Sequence, residues 1–117
     1  MSPVHRPLDG DVLLFDMEQE RNRLAGQPSG RQARTLLKSG PLRVILIALG
    51  PGGTTAEHQA EGPITIQPLR GRIRFTAGAR VHELGPGELL GAGAGIPHAV
   101  ASDDGAVFLL TIGKSSP

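Results

Sequence analysis

Cysteine is missing from all 117 residues, so disulfide bridges, thiolate nucleophiles and thiolate metal sites are excluded. Any metal ion would have to be held by histidine, carboxylate, amide or water. Tryptophan and tyrosine are absent too, and phenylalanine occurs only three times, which removes the stacking platforms used to bind single-stranded nucleic acid. Charge of one sign is not in excess either. Lys and Arg number 12 against 11 Asp and Glu, and a net charge of +1 sets up no field strong enough to gather a polyanion. The longest continuous apolar run, Val44 to Leu49, is far short of the roughly 18 residues that a membrane helix needs. The opening MSPVHRPLDGDV lacks the apolar segment of a secretion signal. The expectation is a cytoplasmic protein that binds neither nucleic acid nor membrane.

What the chain has in abundance is punctuation. Its 17 Gly and 10 Pro stand between short apolar runs rather than in one low-complexity block, as they do between many short strands. The length suits a single domain over residues 1–117, with an extended arm and a helix in residues 1–30 and a barrel over about residues 32–112. Asp16 reads as an N-cap, with Gln19 three residues on and Glu18 and Glu20 in the first turn, which predicts a helix from Met17 to Ala25 that Gly26 and Pro28 stop. Residues Gln32 to Leu37 show a mixed pattern. Beyond the Ser39-Gly40-Pro41 turn, LRVILIAL reads as a strand whose Val44 to Leu49 part is apolar on both faces. One face belongs to the barrel interior. The other needs cover from the helix or from a second subunit, and a homodimer is the expected assembly.

ITIQPLR and RIRF follow as strands about a corner at Arg70-Gly71, with Ile73 and Phe75 buried and Arg72 and Arg74 wet. Strands are also expected at Arg80 to Leu84, at ELLGAGAG, around Ile96 to Val100 and, after the Asp103-Asp104-Gly105 turn, at AVFLLTIG. About eight strands with turns near every tenth residue predict an all-β barrel or sandwich, because closure removes exposed edges. On this layout Arg80, His82 and Leu84 form an outward set, so His82 reads as a surface residue. Gly91, Gly93 and Gly95 lie between strands with no helix after them, which excludes a dinucleotide loop. Gln67 is an amide on an apolar strand. Facing inward it would orient a ligand, and facing outward it would be solvated.

Gly52, His58 and Gly71, with Gly87, Gly95, Pro97 and His98 further on, carry a resemblance to the cupins. The chain is similar to a small single-domain member of that family, of the RmlC-like class, whose fold is the jelly roll, or double-stranded β-helix. The first cupin motif (glycine, five residues, H-x-H, three or four residues, glutamate, six residues, glycine) starts at Gly52, meets His58 and ends at Gly71. The second starts at Gly87 and reaches Gly95 and His98, with Gly93 where proline is usual. Two of the family's four usual metal-ligand positions fall on other residues, the second histidine on Ala60 and the glutamate on Ile64.

The resemblance therefore implies a jelly-roll barrel with a short N-terminal helix and a degenerate metal site. His58 and His98 are the candidate metal ligands for one divalent ion (Zn, Fe, Ni or Mn), and two imidazoles alone do not complete a three- or four-ligand shell. His58, Gln67 and His98 are the candidate ligand-binding residues. The same histidines read equally well as a vestige, hydrogen-bonded beside water or a small anion, or as a proton-transfer group. The primary functional expectation is a small-molecule-binding domain. The alternative is a metal-dependent enzyme of the dioxygenase, isomerase or lyase kind acting on a small organic substrate. No catalytic residue is assigned.

Overall fold

The computed structural model describes residues 10–25 and 30–113, so the expected arm over the first nine residues, the stop at Gly26 and Pro28 and the tail from Lys114 lie outside the described residues. The helix forms where its cap predicts it, as α1 (Met17–Ala25). The Asp16 carboxylate accepts from the backbone N–H groups of Glu18 and Gln19 at 3.0 and 3.2 Å, satisfying donors that the first turn cannot pair internally. Eight strands follow: β1 (Arg31–Ser39), β2 (Leu42–Leu49), β3 (Ile64–Arg70), β4 (Ile73–Ala77), β5 (Arg80–Leu84), β6 (Leu90–Ala92), β7 (Ala99–Ala101) and β8 (Ala106–Gly113). They form a five-stranded sheet in the order β1-β2-β8-β3-β6 and a three-stranded sheet in the order β5-β4-β7. All their pairings are antiparallel, giving the two-sheet jelly roll expected. Among the described residues no helix is long and apolar enough to cross a membrane.

The core lies between the sheets. Ile47, Leu49, Ile64, Ile66, Phe108 and Leu110 from the larger sheet meet Ile73, Phe75, Leu84 and Val100 from the smaller one. Register fixes which side chains enter it. Ile47 stands opposite Phe108 on the inner face, and Leu46 stands opposite Leu109 on the outer face. Leu46 is fully buried, so β2 is covered on both faces, as its apolar run requires. The outer cover comes from α1, whose Leu24, with Leu36, closes over Leu46. Glu20, itself buried, fastens the helix to the sheet through Arg34 at 3.0 Å and also holds Arg23 at 3.1 Å. The Glu20–Arg34 contact is an ion pair by distance without hydrogen-bond alignment. Of the two covers expected for this face, the helix and a second subunit, the helix supplies one from within the chain.

The sequence pattern of residues 32–37 conceals a full strand. A β-bulge at Leu36 breaks the register of β1 with β2 between Thr35 and Leu37, so alternation fails on paper while the ladder continues in space. Thr35 stays on the inner face opposite Ile45, and Leu36 and Leu37 both join the outer apolar cluster. Gly71 makes the corner between β3 and β4 with φ +78°. On the far side of β4, Asp103 takes a hydrogen bond from the Arg74 guanidinium at 2.8 Å. That bond first, and the neighbouring charge second, raise the arginine pKa.

Candidate functional site

Residues 52–58 are not a regular strand, yet they run antiparallel along 98–102 and extend the smaller sheet. The N–H of Gly52 donates to the Ser102 carbonyl at 2.8 Å and the N–H of Ser102 to Gly53 at 3.0 Å. Thr55 donates to the Val100 carbonyl at 2.8 Å, and its hydroxyl accepts from the Val100 N–H at 3.0 Å. The ribbon ends at a reciprocal pair, His58 N–H to His98 O at 3.0 Å and His98 N–H to His58 O at 2.9 Å. Residues that exchange both backbone bonds face each other and project their side chains to one side. The imidazoles therefore meet, with ring centroids 4.4 Å apart and planes inclined at 62°.

Their surroundings differ. His98 is buried, with Phe75 stacked on it at 5.1 Å and 20°, whereas His58 is exposed above it. Each Nδ1 lies against the carbonyl oxygen two residues earlier, Ala56 at 3.2 Å for His58 and Ile96 at 2.9 Å for His98. A carbonyl only accepts, so Nδ1 carries the proton, and in the neutral ring the lone pair falls on Nε2. Two imidazole donors are thus poised side by side. The remaining donor positions are not filled. Ala60 presents a methyl group, Ile64 is buried in the core, and Glu57 and Glu61 are exposed. Among the described residues no group of three His, Asp or Glu is arranged to hold an ion. The described residues do not fit a resident three- or four-ligand metal centre.

His58 also stands at the wall of a cavity of about 640 Å³. Its apolar floor is the inner face of the larger sheet, at Ile45, Ile47, Leu110 and Ile112, and Ala60 and Thr55 continue the wall beside His58. Arg31, Lys38 and Arg43 line it from β1 and β2. Sequence reading missed these residues, although the inward series Arg43-Ile45-Ile47-Leu49 is plain once β2 is accepted as a strand. Gln67 is not brought to the histidines. It pairs in register with Leu109, on the outer face with Thr65, and is exposed, while Ile64, Ile66 and Pro68 point inward. His82 is exposed, as a surface residue should be, and Leu84 is the member of the expected outward set that is buried. His82 stands directly opposite Phe75 and lines a separate, open cavity of about 600 Å³ with Leu90 and Ile96.

The comparisons with known proteins agree with this geometry. The family described as Cupin domain matches residues 45–113. A solved protein from Thermus thermophilus is 26% identical, with 87% of this chain and 98% of that one covered and a TM-score of 0.71. A cupin superfamily protein from Desulfitobacterium hafniense is 19% identical over 77% of this chain and 83% of its own, with a TM-score of 0.73. An oxalate decarboxylase from Bacillus subtilis is 23% identical over 75% of this chain but only 26% of its own, with a TM-score of 0.69. No curated protein matches in sequence. With more than half of its length matched, both sheets of the jelly roll in place and the two motif histidines paired, the chain belongs to the cupin domain family.

Proposed function

We propose that this cupin is a small-molecule-binding domain that holds its ligand in the cavity between His58 and the inner face of β1 and β2, using its own side chains rather than a resident metal ion. The observation that carries this reading is the combination at His58: an apolar-floored space of about 640 Å³ beside an imidazole pair that, among the described residues, lacks the third and fourth donors of a metal centre. A concave site with an apolar floor and polar groups placed at its wall is a common form of ligand pocket. The enzymatic name of the Bacillus neighbour belongs to that protein. At 23% identity the likeness supports the fold and no reaction.

The test is a panel of neutral, anionic and cationic small molecules, added to protein carrying labelled isoleucine methyl groups with a chelator present throughout. Ligands should shift Ile45, Ile47 and Ile112 while Ile73, in the core on the smaller sheet, stays still. Binding that appears only when a divalent ion is restored would contradict the reading. So would shifts confined to Ile96, at the cavity beside His82.

A second reading, a metal-dependent enzyme of the dioxygenase, isomerase or lyase kind, keeps one observation in its favour: both Nε2 lone pairs are left free by the Nδ1 hydrogen bonds. It requires two further donors from outside the motif positions.

A further inference from the structure

We infer that the ligand of this cavity is a small organic anion, with an apolar body on the isoleucine floor and its acidic head at the facing cations Lys38 and Arg43, Arg31 adding positive charge at the far end of the same face. The inference rests on the reading of the cavity as a ligand site and adds the chemical class.

Three observations carry it. First, the register turns three cations inward. Arg31 pairs with buried Leu49 and Arg43 with Ile112, both on the core side, and Lys38 stands opposite Arg43. Second, Lys38 owes its direction to the bulge. Strict alternation from Thr35 would carry Leu37 inward and Lys38 outward, and the extra residue at Leu36 exchanges them. Bulges re-aim single side chains in this way next to functional sites. Third, these cations carry no balancing charge. Arg34, on the other face of the same strand, has the buried Glu20 as its partner, while Arg31, Lys38 and Arg43 form no ion pair among the described residues. Glu61 is the single carboxylate among the described residues lining the cavity.

A carboxylate or phosphate head would receive charge-assisted hydrogen bonds there, which are stronger than neutral ones and favour a forked guanidinium. The low-polarity floor below strengthens such a contact relative to open water. A cationic ligand meets repulsion from the same groups, so the arrangement discriminates by sign as well as by attraction.

Three probes sharing one apolar body separate the sources of affinity: phenylbutyrate, phenylbutanol and phenylbutylamine, each titrated while the methyl groups of Ile45, Ile47 and Ile112 are followed. The acid should bind at least about tenfold more tightly than the alcohol, and the amine most weakly. Joint replacement Arg31→Gln, Lys38→Gln and Arg43→Gln should weaken the acid by at least about tenfold and leave the alcohol within about twofold. All three residues are exposed, so the fold should survive, and Lys38→Gln alone gives a milder variant with the same direction of effect. Raising salt from about 20 to about 200 mM should weaken the acid alone. Equal binding of acid and alcohol at these methyl groups would overturn the anion while leaving the small-molecule reading in place. No shift of these methyl groups with any of the three probes would overturn both.

Discussion

Replacing Gly71 with alanine should cost about 4 kcal/mol, a large share of the roughly 5–15 kcal/mol by which a domain of this size is stable. Gly71 turns the chain from β3 into β4 with φ +78°, a region that residues carrying a Cβ enter only with strain. Space is the larger problem. A Cβ there would run into the Gly105 carbonyl oxygen and stand 3.0 Å from the Ala106 Cα. Both obstacles are backbone, so no side chain can swing aside, and relief would have to come from moving the Asp103-Gly105 turn off the β3–β4 corner. Gly93→Ala is the control. Its Cβ would meet only the Ile96 Cδ1, at 3.8 Å, and its stability should change by no more than ~0.5 kcal/mol. Urea unfolding of the two variants measures the contrast. Equal midpoints would show that the corner is far softer than its geometry implies.

His98→Ala should be the second large loss, about 3 kcal/mol, against less than ~1 kcal/mol for His58→Ala. The difference lies in burial and not in residue type. The His98 ring is enclosed between Phe75 and His58, with 3% of its surface exposed, and its removal empties space at the edge of the core. His58 covers that ring from the solvent side and can be truncated into water. Calorimetric unfolding of the two single variants measures this difference. It also decides how a binding test must be built: loss of ligand or metal on changing His98 is confounded by loss of structure, whereas loss on changing His58 is not.

The barrel was legible because its turns are chemical: glycine, proline and aspartate stand where the chain reverses, and apolar runs stand between. The helix was legible from its cap, since Asp16 accepts the bonds that its position predicts. β1 was not, because the bulge at Leu36 disrupts the two-residue period from which a strand is recognised. Losing β1 also lost the cavity, whose cations come from residues 31, 38 and 43, distant in sequence from both histidines. The contact between His58 and His98 was legible only through motif spacing, as no local pattern joins residues 40 apart. Gln67 remained undecided on composition alone, and the regular ladder from Ile64 to Pro68 sends it outward. His82 is exposed as expected, but Leu84, grouped with it as outward, is buried, because the exposed residues 80–83 obscured which end of this edge strand enters the core.

The most direct measurement of whether this cupin works without a metal centre is calorimetric titration of zinc into chelator-treated protein purified without an affinity tag, beside His58→Ala. With two imidazoles and no further donor beside them among the described residues, the expected result for the wild type is weak binding, with a dissociation constant on the order of 10 μM or weaker, and no measurable heat for His58→Ala. Saturable one-to-one binding at sub-micromolar concentration, retained in His58→Ala, would contradict it and show that a complete metal centre stands elsewhere in the chain.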